Sequence, residues 1–349
     1  MKRLAFAIPG DLATPTGGYA YDRRMIAELE KLDWAIDVIE LGENFPWASR
    51  ETLMAAEARL LMVPPSHQII VDGLALGVLP EAARRLRGEH TLVALIHHPL
   101  ALETGLSAAQ ADILQASERA ALMAAKHVIV TSSATARQLA DRYDVPCDKV
   151  TVARPGTDPV TPAPGSHDGA IRILSVGALV PRKGFDILLA ALATLTDLPW
   201  QLTIAGDRDR DPATAARLEA DIARLKLGQR VSMLGAVSAQ QLADLYARSD
   251  IFALASRFEG YGMAYSEAIA YGLPVIGTRA GAIPEAVPSG AGILVEPGDI
   301  TSFAQALRSI IADAGVRRQL TDAARVAATN LPRWDDSAKI FSRALETVA

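Results

Sequence analysis

The sequence predicts an α/β protein of two doubly wound domains, each a parallel sheet covered by helices on both faces, and three observations predict it. At 349 residues the chain is too long for one ordinary core and suits two units of roughly 150 to 180 residues. Short, continuously apolar segments alternate with longer amphipathic ones, as strands buried on both faces alternate with crossover helices. The alternation also starts twice, before and after the stretch PGTDPVTPAPGSHDG at 155–169, whose prolines and glycines mark a linker.

In the first half, RLAFAI (3–8) reads as a strand, followed by a Gly/Pro/Thr-rich loop through Gly17 and Gly18 and a helical run ending near Lys31. AIDVIE, HQIIVD, TLVALI and HVIVT read as further strands, and ALETGLSAAQADILQASERAALMAA and SSATARQLADRY as helices. In the second half, IRILSV, QLTIA, RVSML, DIFALA, PVIG and GILV are strands. Between them lie the helices GFDILLAALATL, PATAARLEADIARLKLG, SAQQLADLYARS and a run from Met263 to Tyr271 stopped by Gly272 and Pro274. Two such domains place a cleft between the carboxyl ends of their sheets, where open α/β sheets bind ligands.

Composition narrows the chemistry. Lys plus Arg is 35 and Asp plus Glu is 40, a net charge of −5 without a tail of one sign, which argues against a nucleic-acid partner. Cys147 is the only cysteine, so there is no internal disulfide and no cysteine-based zinc site, and a reducing compartment, the cytoplasm, is the expected location. The apolar run of MKRLAFAIPGDLA stops at Pro9, Gly10 and Asp11, too soon for a secretory leader, and no other apolar stretch approaches the roughly 18 residues that span a bilayer. The sequence has no G-x-G-x-x-G after the first strand of either half, no G-x-x-x-x-G-K-[ST] and no G-x-S-x-G. Nicotinamide dehydrogenases, P-loop NTPases and serine hydrolases lose their main support.

Two segments carry candidate chemistry. In VGALVPRKGFD (176–186) a strand is followed by Arg182, Lys183, Gly184 and a helix start. A planar guanidinium, a compact ammonium and a helix N-terminus together suit phosphate oxygens; a solvated basic loop is the plain alternative. In SRFEGYGMAYSEAIAYGLPVI (256–276) Glu259 falls in a loop whose Gly260 and Gly262 let backbone approach a ligand, and Glu267 lies one turn inside the following helix. Helix-dipole stabilisation alone would account for Glu267, but not for Glu259 outside the helix. A loop that offers backbone N–H groups to a phosphate and a carboxylate to hydroxyls suits a sugar attached to a diphosphate.

The E-x7-E arrangement of EGYGMAYSE, with AGAIPE (280–285) and the upstream PRKG, resembles the retaining nucleotide-sugar glycosyltransferases of family 4, which have the two-domain GT-B fold. The likeness covers nearly the whole chain: TGGYAYDRR is similar to the family's glycine loop, TSSATARQL to its mid-chain strand-to-helix turn, and LPRWDDSAKIFSRAL to its final helix. It is strongest over 171–300, and four ordered motifs are specific where a lone E-x7-E is not. The resemblance implies a first, acceptor-side domain over 1–164 with a returning helix over 333–349, and a donor-binding domain over 170–332. It implies that Glu259 holds hydroxyls of the donor hexose. Gly260, Tyr261, Gly262, Met263 and Ala264 belong to the loop and helix start that cradle the sugar and distal phosphate. Glu267 takes the ribose hydroxyls, Arg182 and Lys183 neutralise the diphosphate, and Gly17 and Gly18 close over it. His97, with His98 as second candidate, matches the active-site histidine. The implied partners are a nucleotide-sugar donor and a sugar or lipid-linked acceptor; the implied chemistry retains anomeric configuration and uses no metal or other cofactor.

One position departs from the family: Ala178 stands where many members have an arginine, so charge neutralisation falls to Arg182 and Lys183. Asp207, Asp209 and Asp211 in GDRDRD have the look of a metal-binding D-x-D, but their place and interleaved arginines read as a solvated loop. Arg84, Arg85 and Arg87 read as a solvated helix face, with contact to acidic lipid headgroups at the inner membrane face as the alternative. Two other functional classes stay open: a phosphorylase or epimerase on the same scaffold, and a sugar-nucleotide sensor without catalysis.

Overall fold

The computed structural model describes residues 2–165 and 169–348, so residues 166–168 of the linker and both terminal residues lie outside the described part. The chain forms two compact units, Met1–Gly156 with Pro332–Ala349, and Thr157–Leu331. Residues 157–164, assigned from sequence to the first domain, cluster with the second. The physical reason is Ala163: it is buried in the second unit's core, donates its N–H to Tyr271 O at 2.8 Å and accepts from Arg325 at 3.3 Å.

The first unit holds β1 (Lys2–Ile8), β2 (Trp34–Glu40), β3 (Gln68–Asp72), β4 (Leu92–Ile96), β5 (His127–Val130) and β6 (Val150–Val152) in the order β2-β1-β3-β4-β5-β6. All pairings are parallel, with Phe6 beside Val38 on one neighbour and Ile70 on the other. Every residue of β4 and β5 is buried, which is why they read as continuous apolar runs rather than alternating ones. Each fully buried Leu, Ile or Val contributes roughly 1.5 to 3 kcal/mol to that packing. The helix Trp334–Val348 belongs to this unit: Trp34 Nε1 donates to Ser342 Oγ at 2.9 Å and Gln68 Nε2 to Leu345 O at 3.1 Å. The helix read from sequence as starting near Ala101 starts later, at Ala108, because Ser107 and Gln110 form a reciprocal capping box; residues Leu100–Leu102 make a separate short 3-10 turn.

The second unit holds β7 (Ile171–Val176), β8 (Trp200–Ala205), β9 (Val231–Met233), β10 (Ile251–Ala253), β11 (Val275–Thr278) and β12 (Gly292–Val295) in the order β12-β11-β10-β7-β8-β9, again all parallel. In each sheet the strand order reverses at the first strand. In the first unit the reversal lies between β1 and β3, and in the second between β7 and β10. At such a reversal the two flanking loops diverge to opposite faces and leave a crevice at the carboxyl ends of the strands.

Candidate functional site: two topological switch points

In the second unit the crevice is flanked by the loop after β7, which carries Arg182 and Lys183, and the loop after β10, which carries Ser256 and Glu259. Glu259 is 5% exposed. Its Oε1 accepts from Lys183 Nζ at 2.7 Å and from Ser256 Oγ at 2.6 Å, and its Oε2 from Arg182 Nη1 at 3.2 Å. Burial pushes the Glu259 carboxyl up, but Lys183 and Arg182 outweigh it and hold the group down at about 2. The buried carboxylate and the two half-buried cations are one cluster.

Local structure explains how the cluster forms. Pro181–Lys183 make a 3-10 turn that ends at Gly184, whose φ of +64 and whose position admit only glycine: a Cβ there would lie 2.0 Å from Ala255 O. That close approach brings the basic turn onto the end of β10. Arg257 then latches the two loops together, donating to Pro181 O at 2.6 Å and pairing both guanidinium nitrogens with Asp186 at 2.9 and 2.7 Å. Lys183 reaches Glu259 over Gly177, where a Cβ would meet the lysine stem at 3.0 Å. Ala178 brings no charge to this cluster, and among the described residues the cations paired with Glu259 are Arg182 and Lys183.

The helix Met263–Ala270 begins beside Glu259. Gly262 is its N-cap, at φ +100, and offers no side chain to cap it. The N–H groups of Met263 and Ala264 therefore donate to no acceptor among the described residues, and a helix terminus of this kind attracts anions. Gly260 and Tyr261 precede it in the same loop, Tyr261 buried. Glu267, one turn in, accepts from Tyr246 Oη at 2.9 Å. Burial pushes its carboxyl up to about 7, Tyr246 opposes the rise, and Asp158 adds to it. Tyr246 stacks on Tyr271 at 5.2 Å between centroids, which fixes the hydroxyl under Glu267.

In the first unit the crevice is flanked by the loop between β1 and the helix Gly17–Glu30, and by the end of β3. Thr16 caps that helix on Tyr19 N at 3.3 Å, and Arg23 holds the loop through Thr14 O at 3.2 Å and Leu12 O. A Cβ at Gly17 would meet nothing within 4 Å, so packing does not require glycine there; at Gly18 it would touch the His97 ring at 3.4 Å. His97 follows β4. Its Nε2 lies 3.2 Å from Asp22 Oδ1 and 3.4 Å from Asp72 Oδ2, and its ring stands edge-on to Tyr21 at 5.4 Å. Burial pushes the imidazole down, but the two carboxylates outweigh it and raise it to about 10. Asp22 is pushed up to about 6 by burial, with His97 opposing and Asp72 reinforcing. His98 instead pairs with Glu103 at 3.2 Å, outside this cluster.

The structure thus brings Glu259, Arg182 and Lys183 together, sets Gly260, Tyr261, Gly262, Met263, Ala264 and Glu267 along the adjoining loop and helix, and sets Gly18 against His97. Sequence reasoning missed Ser256, Tyr246, Arg257, Asp186, Asp22 and Asp72. Asp22 was the most accessible of these, since it shares the buried face of its helix with Met25, Ile26 and Leu29. Asp207 and Asp211 serve the chain itself: Asp207 accepts from Asp209 N at 2.9 Å, and Asp211 caps the helix Pro212–Arg224 through Thr214 N and Oγ1 at 2.9 and 2.7 Å. Among the described residues, the group whose atoms lie close enough to share a metal ion is Asp22, Asp72 and His97. Arg84, Arg85 and Arg87 are exposed; Arg84 pairs with Glu81 and Arg85 with Glu57, each at 2.9 Å. No helix of the described residues is long and apolar enough to cross a membrane.

Comparison with known proteins gives the family of the chain. The family model described as glycosyl transferases group 1 matches residues 161–327, and the model described as glycosyltransferase family 4 matches residues 69–160. A D-inositol 3-phosphate glycosyltransferase of Mycolicibacterium smegmatis is 30% identical over 237 residues, covering 64% of this chain and 53% of that protein. Its counterpart in Xylanimonas cellulosilytica is 28% identical over 277 residues, covering 72% of this chain and 66% of that one. The chain therefore spans about half to two thirds of the length of these curated relatives. Among solved structures, a sucrose-phosphate synthase of Thermosynechococcus elongatus superposes with a TM-score of 0.83 at 22% identity, covering 100% of this chain and 99% of that one. HepE of Anabaena, solved in complex with UDP and glucose, superposes with a TM-score of 0.79 at 20% identity, covering 99% and 100%. With two adjoining glycosyltransferase models covering residues 69–327 on two doubly wound sheets, this chain belongs to the family 4 type of GT-B glycosyltransferases.

Proposed function

We propose that the protein is a retaining hexosyltransferase that moves a hexose from a UDP- or GDP-linked donor to a hydroxyl of a sugar or lipid-linked acceptor, in glycan, polysaccharide or glycolipid synthesis. The observation that carries this reading is the buried cluster of Glu259 with Arg182 and Lys183 at a switch point, next to an uncapped helix start. Two cations and free N–H groups suit a diphosphate, and a carboxylate beside them suits the hydroxyls of an attached sugar. Glu267, fixed by Tyr246, takes the ribose hydroxyls, and Gly17 and Gly18 leave the backbone at the start of their own helix open to a ligand.

In the transfer, the bond between the anomeric carbon and the diphosphate oxygen breaks, and a bond from the acceptor oxygen forms on the same face. The acceptor proton goes to the departing diphosphate. Arg182, Lys183 and the helix start stabilise the charge that develops there, so the protein supplies the positive charge and no metal or cofactor takes part. Work in the cytoplasm fits the single cysteine, and Arg84, Arg85 and Arg87 offer a surface for lipid headgroups where the acceptor is membrane-borne. D-inositol 3-phosphate, after which the similar glycosyltransferases of Mycolicibacterium smegmatis and Xylanimonas cellulosilytica are named, is one acceptor to try.

The test is a thermal-shift panel of nucleotide sugars, followed by proton NMR of the product made with the donor that stabilises most. A shared anomeric configuration in donor and product supports the reading. Inversion, or stabilisation by no nucleotide sugar, overturns it.

A further inference from the structure

The cluster of His97 with Asp22 and Asp72 joins three elements: the helix after β1, the end of β3 and the end of β4. Asp22 is fully buried and Asp72 is 4% exposed, so neither carboxylate is a surface charge that water could neutralise. Asp72 is also held in place by its own helix cap, with Oδ1 accepting from Leu74 N at 2.7 Å, which leaves Oδ2 for His97. Asp22 Oδ2 has no hydrogen-bond partner among the described residues, so Nε2 is the donor that this carboxylate has. A nitrogen lying 3.2 and 3.4 Å from two acceptor oxygens must carry a proton. The remaining neighbours add no competing base: Tyr21 meets the ring edge-on, Gly18 lies against Cδ2, and Thr131 donates to the His97 carbonyl at 3.2 Å.

We propose that Asp22 and Asp72 are positioning residues that clamp His97 through Nε2 and hold it as a fixed hydrogen-bond donor, so that His97 meets its ligand through Nδ1–H and does not serve as a proton acceptor. Nδ1 has no hydrogen-bond partner among the described residues, and the side chain keeps 19% of its surface open. The fitting ligand atom is an oxygen with a lone pair, a hexose hydroxyl or a phosphoryl oxygen. Only this choice of ligand rests on the transferase reading; the clamp stands on the geometry of the first unit. The raised titration of the imidazole agrees with it, since a ring held between two carboxylates keeps both protons.

The experiment is long-range proton–nitrogen NMR of the full chain labelled in its six histidines, from pH 5.5 to 9, with His97 assigned by its loss in His97→Gln. In the wild type both ring nitrogens should stay protonated over the whole range. In Asp72→Asn, and more strongly in Asp22→Asn, the ring should lose a proton within that range, a downward shift of at least one pH unit. If Asp22→Asn fails to fold, Asp72→Asn carries the test alone. In active variants kcat/KM should fall as pH rises through the new midpoint, while the wild type shows no such step. A wild-type ring that titrates near its ordinary range, or one with Nε2 as the bare nitrogen, overturns the proposal. So does a His97 signal that moves with Zn²⁺ and returns with EDTA, because metal ligation needs Nε2 without its proton. Absence of glycosyl transfer in the wild type would sink the transferase reading and leave the NMR result intact.

Discussion

Lys183 Nζ stands 2.7 Å from Glu259 Oε1, closer than Arg182 Nη1 at 3.2 Å from Oε2, so the anion that the two cations meet is the protein's own carboxylate. An isolated pair of buried cations would be costly, and Glu259 relieves that cost in the free protein. Under the proposed function, a diphosphate bound here shares Lys183 and Arg182 with Glu259. That sharing links stability, affinity and turnover in ways that single substitutions separate.

Stability should show the cluster at low pH. Glu259 is held at about 2, below its ordinary value, so its contribution is present above pH 4.5 and is lost as pH falls through about 2. Glu259→Gln should therefore flatten the loss of stability between pH 5 and 2, by about 3 kcal/mol across the range. Urea unfolding at stepped pH measures it, and an unchanged slope in the variant would contradict the assignment.

Glu267 should behave with the opposite sign. Its carboxyl is raised to about 7, so its contribution to stability is complete below pH 4.5 and is lost as pH rises through 7. If the ionised carboxylate takes the ribose hydroxyls, nucleotide affinity rises over the same interval. Tyr246→Phe removes the hydrogen bond that opposes the rise, so it should move the midpoint of the affinity profile upward and weaken binding at pH 7 by roughly tenfold. Calorimetry from pH 6 to 8.5 decides this.

Much of this was legible in the sequence, for a physical reason. Strands covered on both faces are mostly apolar, so IRILSV and TLVALI announce themselves, and the glycines that let loops touch, such as Gly184 and Gly262, are visible as punctuation. Partners brought together by topology leave no such mark. Asp22 and His97 are 75 residues apart, and Arg182 and Glu259 are 77 apart; only the order in which the strands assemble puts them in contact. Tyr246 was hidden because a tyrosine on an amphipathic helix reads as core, and its ring is core while its hydroxyl serves Glu267.

Packing at Gly184 should be as demanding as the chemistry. A Cβ there would lie 2.0 Å from the Ala255 carbonyl oxygen, on a left-handed backbone. Gly184→Ala should cost at least about 2 kcal/mol of stability and displace the basic turn from Glu259. A thermal melt within a degree of wild type would show that the turn tolerates the displacement.

The proposed function gives the role of a metal to Arg182 and Lys183, and that proposal has a direct test. Transfer should persist in excess EDTA after dialysis, and Asp207→Ala should leave kcat unchanged because that carboxylate only shapes its own loop through Asp209 N. Loss of activity restored by magnesium or manganese would contradict this.

The most direct measurement is a calorimetric comparison of UDP and GDP binding to wild type, Lys183→Ala and Glu259→Gln. The diphosphate that binds wild type should bind Lys183→Ala roughly ten- to a hundredfold more weakly, because a charge-assisted contact is gone. The same diphosphate should bind Glu259→Gln at least as tightly as wild type, because the competing carboxylate is gone, although turnover falls sharply. Equal affinities in all three proteins, or a loss of diphosphate affinity in Glu259→Gln with turnover retained, would contradict the account of Glu259 as internal counter-ion and sugar contact.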